Sequence, residues 1–289
     1  MTGAWDYIPT AKYNVSIDDV EYRRAGKESW LARIYQPQGD GPFPVLLDIH
    51  GGAWNGGSRT SNPQIDQALA ASGMVVAAVD FRLAPQHPYP AQVADTNYAT
   101  RWLKAHAAKF KGDARSIGIV GFSSGGQTAL LSAMRPHDPR YSEIPLPEAP
   151  ALDATVTYVL SFWGVLDPYA RYLYAQKAGR AELVKASEAY FLTTEAMQEG
   201  NPQYILDRGK PVTLPPTLLI QGTSDANVPL EIPKRLAAAY RKAGGAIEMH
   251  LFPNMPHGFA GWPAPEVERA LGITKAFVSS RLADLKAVV

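Results

Sequence analysis

The sequence contains no cysteine among its 289 residues. This excludes disulfides, thiol catalysis and every zinc or iron–sulfur site held by cysteine. An excess of one charge is missing too, since 28 Lys and Arg residues stand against 27 Asp and Glu residues, a formal net charge of +1. Nucleic-acid grooves and polybasic membrane surfaces need a clear basic excess. We therefore expect no nucleic-acid partner and no membrane partner.

Long hydrophobic runs are also missing. The longest, such as residues 74–79, fall far short of the roughly 20 residues that a membrane helix needs. Residues 1–6 have neither the basic nor the apolar region of a signal peptide. From these absences we expect a soluble, cytoplasmic protein.

The composition is typical of a globular protein. Hydrophobic residues make up 46% of the chain and aromatic residues 10%, which excludes a disordered or fibrous protein. A chain of this length buries roughly three-quarters of its unfolded surface. Because single α/β domains often reach this size, we expect one domain spanning residues 1–289.

Strand-like and helix-like stretches alternate along the chain. Several strand candidates are continuous apolar runs, which is typical of strands covered on both faces. Repeated β–α units predict a mostly parallel sheet with helices on both faces, and residues 15–22 and 30–35 predict an antiparallel edge. The predicted strands are residues 45–49, 74–80, 117–121, 155–162, 217–221 and 247–252, and the predicted helices are residues 64–71, 91–110, 125–134, 232–243 and 267–278.

Two regions interrupt this alternation. Residues 135–150 contain five prolines and therefore predict a surface loop. Residues 164–211 are longer than one crossover helix requires, and two interpretations stay open for them. They are either a pair of amphipathic helices whose aromatic residues fill the core, or a lid or cap inserted over a pocket.

A serine motif follows one of the predicted strands and opens a predicted helix. Residues 121–125 are Gly-Phe-Ser-Ser-Gly. In that context the motif is typical of a sharp, strained elbow, in which glycines avoid clashes while the Ser123 hydroxyl points outward. A Gly-x-Ser-x-Gly match alone is a weak signal, and a plain glycine-rich turn is the alternative.

A serine hydroxyl is a poor nucleophile near neutral pH, so it needs a base, and the base needs an orienting acid. Among six histidines, His257 lies in a loop just after the final predicted strand. Asp225 directly follows the strand before it, and Asp167 is the rival acid. Ser123, Asp225 and His257 occur in the order nucleophile, acid, base that such sites take on α/β sheets. We predict that these three residues are catalytic.

A second motif ends the predicted strand 45–49, where residues 50–54 are His-Gly-Gly-Ala-Trp. Acyl transfer builds negative charge on a carbonyl oxygen, and preorganised backbone N–H groups stabilise it. We predict that the amides of Gly52, Ala53 and Ser124 form this oxyanion hole and that His50 braces the loop.

Nucleotide and metal sites are not predicted. Residues 52–57 have the spacing of a phosphate-binding loop, but Ser58 stands where the phosphate-binding lysine is required. The histidines do not have the spacing of metal ligands. We therefore expect no bound nucleotide and no metal.

Together the motifs resemble those of α/β-hydrolases, and within that fold those of microbial esterases related to hormone-sensitive lipase. The resemblance extends from about residue 44 to residue 259. It implies a mostly parallel eight-stranded sheet, a serine acyl-enzyme mechanism, no cofactor, and esters of small or medium acids as substrates. The segments that match in order are residues 50–52, 80–85 and 121–126 and the segments around Asp225 and His257.

The chain departs from that family in two places. Ala53 replaces the third glycine usual there, and with Trp54 it instead resembles feruloyl/acetyl-xylan-type esterases and arylformamidases. Residues 218–225 also resemble the catalytic domain of prolyl oligopeptidases, whose propeller domain cannot fit in this length. These departures leave the substrate subclass open. They do not change the predicted serine-based chemistry.

The expected function is that of a serine carboxylesterase acting on small to medium acyl or aromatic esters. We expect Trp54, Trp163 and aromatic residues of the segment 164–211 to line its pocket. Two alternatives stay open. The same residues can cleave amides, formamides or carbamates, and a binding protein can keep the fold without the activity. The resemblance also implies a homodimer.

Overall fold

The structure is a computed structural model that describes residues 6–259 and 265–287. None of the helices in these ranges is long and apolar enough to cross a membrane. The strands are β1 (Val15–Ala25), β2 (Glu28–Pro37), β3 (Val45–Ile49), β4 (Val75–Val79), β5 (Gly118–Phe122), β6 (Tyr158–Phe162), β7 (Thr217–Gly222) and β8 (Ile247–Phe252). The helices are α1 (Pro63–Ala71), α2 (Ala91–His106), α3 (Ser124–Met134), α4 (Pro168–Lys177), α5 (Ala181–Phe191), α6 (Thr194–Glu199), α7 (Pro202–Asp207), α8 (Glu231–Lys242) and α9 (Pro265–Lys286).

All eight strands form one sheet, in the order β1-β2-β4-β3-β5-β6-β7-β8. Strand β2 pairs antiparallel with β1 and with β4, and every other pair is parallel. The mostly parallel sheet and its antiparallel edge confirm the expected fold class. Parallel order brings the carboxyl ends of β3, β5, β6, β7 and β8 to one edge, where sites in such sheets form.

Two apolar cores lie on opposite faces of the sheet, because successive side chains of a strand point to opposite sides. In β3, Val45 and Leu47 pack in the core that contains α2, α3 and α8 residues. Leu46 packs in the other core, with α1 and α9 residues. Strands β3 to β7 are buried at every position, which explains their largely apolar sequences.

Most predicted elements are confirmed, with differences at several of their ends. The strand predicted for residues 155–162 begins only at Tyr158, because Asp153 Oδ1 accepts hydrogen bonds from the N–H (3.0 Å) and hydroxyl (2.6 Å) of Thr155. The N–H of Thr155 thus bonds to a side chain and not to a neighbouring strand. The last four residues predicted for helix 91–110 form a separate 3-10 turn. Residues 135–150 contain no helix or strand, as predicted.

The segment 164–211 contains four helices, α4 to α7, so the predicted pair of helices is wrong in number. Side chains cap three of them, since Asp167, Thr193 and Asn201 accept hydrogen bonds from amides at the starts of α4, α6 and α7. Each cap begins a new helix and so divides the segment. Tyr190 and Phe191 are buried in the core, as the amphipathic interpretation predicts.

Candidate active site

Ser123 lies in a tight turn between β5 and α3, with φ 52° and ψ −118°. Few residues other than glycine adopt a positive φ, and such strain is found mainly at functional sites. A Cβ atom on Gly121 would overlap the carbonyl oxygen of Gly125, and one on Gly125 would overlap that of Ile49. Glycine at both positions therefore lets strand and helix approach closely, with the serine at the carboxyl end of β5.

The structure brings Ser123, His257 and Asp225 together in one chain of hydrogen bonds. Ser123 Oγ lies 2.9 Å from His257 Nε2, and His257 Nδ1 lies 2.8 Å from Asp225 Oδ2. A carboxylate only accepts, so Nδ1 carries the ring proton and Nε2 is free to accept the serine proton. This is the arrangement in which an imidazole can act as a base toward a hydroxyl.

Four hydrogen bonds orient the carboxylate of Asp225. Its Oδ1 accepts from the amides of Asn227 and Val228, both at 2.8 Å, in the turn that follows β7. Its Oδ2 accepts from Gln221 Nε2 at 2.9 Å as well as from His257. The side chain is 1% exposed. The amides of the turn after β7 and the side chain of Gln221 therefore fix the direction of the Asp225 carboxylate toward the imidazole.

Asp167, the rival acid, has a different place. Its Oδ1 accepts hydrogen bonds from the amide of Ala170 at 3.0 Å and from Asn201 Nδ2 at 2.8 Å. Arg235 lies 3.6 Å from the other oxygen. These contacts cap α4 and join it to α7. The structure thus brings Asp225, and not Asp167, to the imidazole.

The loop after β3 has a strained backbone beside the serine. Gly52, Ala53 and Trp54 have φ values of 115°, 51° and 64°. Two consecutive residues with Cβ atoms in the left-handed region cost of the order of 1–3 kcal/mol each, so the surrounding structure must hold them there. The Trp54 N–H donates to Ser124 Oγ at 3.2 Å, which ties this loop to the start of α3.

This loop leaves backbone donors free beside Ser123. The amides of Gly52 and Ala53 form no hydrogen bond with any residue that the structure describes. The Ser124 amide is the first of α3, where helix N–H groups have no partner within the helix. Gly52, Ala53 and Ser123 line the same cavity. The three amides predicted for an oxyanion hole are therefore available in one neighbourhood.

His50 contacts this loop through a hydrogen bond and packs against Phe81. Its Nδ1–H donates to the Gly51 carbonyl at 2.7 Å, and its ring stacks on Phe81 with centroids 4.1 Å apart. Burial lowers the pKa of His50 to about 4, so the ring is neutral at pH 7. A neutral, packed imidazole agrees with the predicted bracing role.

A cavity of about 480 Å³ opens over the serine and the histidine. Trp163 lines it, as predicted, and its ring stands edge-on to His257 with centroids 6.2 Å apart. Among the residues that the structure describes, no group of three or more His, Asp or Glu side chains is placed to hold a metal ion. The other walls are formed mainly by the apolar residues Ile65, Phe122, Val165, Leu183 and Val228 and by the polar residues Ser61, Asn62, Gln64, Arg171 and Asn227.

The prediction that Trp54 lines the pocket is wrong. Trp54 is 1% exposed, stacks on Tyr190 with centroids 5.2 Å apart, and donates its indole N–H to Gln127 at 2.9 Å. The prediction of aromatic walls from residues 164–211 is also wrong, since the wall residues described from that segment are Val165, Arg171 and Leu183. The aromatic residues Tyr190 and Phe191 pack around Trp54 in the core instead.

Two residues of the site were missed from the sequence. Gln221, which orients Asp225, is the one polar side chain in an otherwise apolar stretch of β7 after its first residue, and that interruption is a signal. Arg171 lines the cavity, but it lies in the segment 164–211 within no recognisable motif. Its position depends on how α4 packs against α5 and α6.

The sheet and the serine elbow together define the α/β-hydrolase class. Comparison with family models is more specific, because residues 33–240 match the model of the BD-FAE family. The chain belongs to that family.

Named relatives are esterases. The chain is similar to Esterase LipC of Mycobacterium tuberculosis, with 32% identity over 229 residues, 75% of this chain and 53% of the relative. Esterase LipQ of the same organism is 25% identical over 258 residues, 87% of this chain and 59% of the relative. The chain thus spans about half the length of these curated relatives.

Solved structures share the fold. Thermogutta terrifontis esterase 2 phosphorylated by paraoxon matches with a TM-score of 0.73 and 22% identity, covering 91% of this chain and 94% of that one. A hyperthermophilic esterase from the archaeon Pyrobaculum calidifontis matches with a TM-score of 0.75 and 22% identity, covering 92% and 85%. At this identity the likeness is one of fold.

Proposed function

We propose that the protein is a serine hydrolase that cleaves carboxylic esters of small to medium acyl or aromatic groups through an acyl-enzyme intermediate. The observation that carries this proposal is the hydrogen-bonded chain from Ser123 through His257 to Asp225, with distances of 2.9 and 2.8 Å. Its position at a cavity, beside free backbone amides, supports the same chemistry. The esterase names of the relatives also support it.

In the first half-reaction, Ser123 Oγ attacks the ester carbonyl carbon while His257 Nε2 takes the hydroxyl proton. The negative charge that develops on the carbonyl oxygen is met by the amides of Gly52, Ala53 and Ser124. Asp225 orients the imidazole and stabilises its protonated form. The imidazolium then gives its proton to the departing alcohol oxygen, and the acyl group remains on Ser123.

In the second half-reaction, water replaces the alcohol. His257 takes a proton from water as the water oxygen attacks the acyl carbonyl carbon. The tetrahedral intermediate then collapses, the acid leaves, and His257 returns the proton to Ser123 Oγ. Each cycle consumes one ester and one water and yields one acid and one alcohol.

Residues 1–289 form, in this proposal, a single domain, and residues 164–211 are a cap inserted between β6 and β7. Val165, Arg171 and Leu183 of that segment form part of the cavity wall. A cavity of about 480 Å³ is within the usual range for small-molecule sites, which supports short and medium acyl groups as substrates.

Initial rates on p-nitrophenyl acetate, butyrate and octanoate test the proposal. The parent enzyme should hydrolyse at least the shorter esters, and Ser123→Ala should lower kcat by roughly 10⁴-fold or more, because the nucleophile is lost. Circular dichroism checks that the variant is folded. Hydrolysis at the parent's rate by Ser123→Ala would refute the mechanism.

Matched anilides separate esters from the amide alternative. The proposal expects the ester to react faster than an anilide with the same acyl group. The opposite order would make amides, formamides or carbamates the substrates. The homodimer and the cytoplasmic location stay predictions, to be tested by light scattering and by cell fractionation.

A further inference from the structure

One charged side chain in the cavity wall has no part in the mechanism above. Arg171, on α4, lines the cavity and is 2% exposed. Its Nη2 donates to Ser187 Oγ at 3.0 Å. Its buried Nε has no hydrogen-bond partner among the described residues. A guanidinium carries five N–H donors, so this group has more donors than hydrogen-bond partners among the described residues.

Arg171 also has no counter-ion in the described part of the chain. Burial alone shifts the pKa of its guanidinium, lowering it to about 10, so the group is still charged at pH 7. By contrast, Arg82 pairs with the buried Asp95 at 2.8 Å. A buried, unpaired charge carries a large desolvation cost.

The one aromatic contact of the guanidinium within the described part of the chain offsets only part of that cost. Its central carbon lies 5.1 Å from the centre of the Trp54 ring. A cation–π contact is a weak interaction beside that cost. A purely structural role therefore leaves most of the cost unbalanced, whereas an anion in the cavity would balance it.

The cavity as a whole favours an anion. Its described lining includes the charged side chain of Arg171, but no Asp or Glu. The neutral polar groups in its wall, such as Asn62 and Gln64, can donate hydrogen bonds. A low-dielectric cleft with one sign of charge concentrates ligands of the opposite sign.

From this geometry we infer that the preferred ester carries a second, negatively charged group, a carboxylate, which binds Arg171 while the ester lies at Ser123. Guanidinium and carboxylate match in shape and form two parallel hydrogen bonds, which makes arginine the usual partner of carboxylates. The substrate class is thus the half-esters of dicarboxylic acids or the acyl esters of hydroxy acids. The inference rests on the proposed esterase function.

Pairs of substrates that differ only in charge test it on the parent enzyme. One series consists of the monomethyl esters of succinic, glutaric and adipic acids, each beside the methyl ester of the corresponding monoamide. A second series consists of acetyl esters of 3-hydroxypropionate and 4-hydroxybutyrate, beside their amides. For at least one spacing, kcat/KM should favour the carboxylate by about 10-fold or more, mainly through KM, as one charge-assisted hydrogen bond allows.

Variants of Arg171 show whether this group is the cause. In Arg171→Met, the ratio of kcat/KM for the preferred carboxylate to kcat/KM for its neutral amide should fall by about 10- to 100-fold. Arg171→Lys should keep part of the preference, because it keeps the charge without the planar fork. Arg208→Met removes an exposed arginine of the same segment and should keep the full preference.

Each outcome decides the question. A carboxylate-to-amide ratio at or below one in the parent, at every spacing of both series, overturns the inference even if Arg171→Met fails to fold. A ratio that Arg171→Met leaves unchanged also overturns it. If neutral esters are hydrolysed without any charge preference, only this inference fails. If no ester is hydrolysed at all, the proposed function fails with it.

Discussion

Asp225 and Asp167 are the same residue type, and each follows a strand of the sheet. What separates them is the turn that each begins. The amides of Asn227 and Val228 bind one oxygen of Asp225 and leave the other directed at His257. Asp167 instead caps α4, so both its place and its hydrogen bonds are those of a structural residue.

Asp225→Asn should lower kcat by about 10³–10⁴-fold, because an amide that donates to Nδ1 favours the wrong tautomer of His257. KM for a neutral p-nitrophenyl ester should change little. The matched variant Asp167→Asn should keep kcat within a few-fold, since asparagine also caps helices, and should affect only stability. Equal losses of kcat in the two variants, measured on folded protein, would contradict the assignment of the acid.

Two buried carboxyl groups lie near each other where β3 and α1 meet, Asp48 on the strand and Asp66 on the helix. Asn62 Nδ2 donates to both oxygens of Asp48, at 3.2 and 3.0 Å. Burial raises the pKa of Asp48 to about 7. Burial, followed by the nearby charge of Asp48, raises the pKa of Asp66 well above its usual range. Packing of α1 on the sheet therefore favours protonated carboxyl groups.

Such a shift makes stability depend on pH, with a definite sign. A carboxyl group whose pKa is higher in the folded state stabilises the fold below the unfolded pKa near 4, and that contribution is lost as pH rises toward about 7. Asp66→Asn removes one of the two acids. Between about pH 4 and about pH 8, the free energy of unfolding of the parent should therefore fall relative to Asp66→Asn, by about 1–3 kcal/mol.

Urea denaturation over that pH range measures this difference. Asp18→Asn, a change at an exposed carboxyl group of β1, serves as the matched control and should show no comparable pH trend. A difference between Asp66→Asn and the parent that is constant with pH would contradict the assignment of the buried pair.

Across the chain, the parts of the fold and the site that could be predicted are those that a short segment of sequence indicates by its own residue pattern. The largely apolar sequence of β3 predicted a strand covered on both faces, and the two cores confirm this prediction. The glycines around Ser123 predicted the elbow because close backbone approach excludes a Cβ. Ser123 and His257 are 134 residues apart, yet their order along a parallel sheet was enough to predict that they meet.

The parts that could not be predicted depend on packing between distant segments. Nothing local in the sequence separates a tryptophan that faces a cavity from one that stacks on Tyr190, so the place of Trp54 was predicted wrongly. The same holds for Arg171, whose cavity position follows from the docking of α4. The number of helices between β6 and β7 depended on side-chain caps, such as Thr193, which the aromatic pattern alone did not indicate.

Labelling with paraoxon bears most directly on the serine mechanism. An activated serine hydroxyl attacks the phosphorus of such an organophosphate and takes its phosphoryl group, and p-nitrophenolate leaves. With the present protein, we predict one phosphoryl group per chain, located by peptide mass spectrometry on Ser123, and esterase activity that falls in proportion to labelling. Ser123→Ala should take up no label. Full inactivation with the label on another residue, or labelling of Ser123 without loss of activity, would contradict the mechanism.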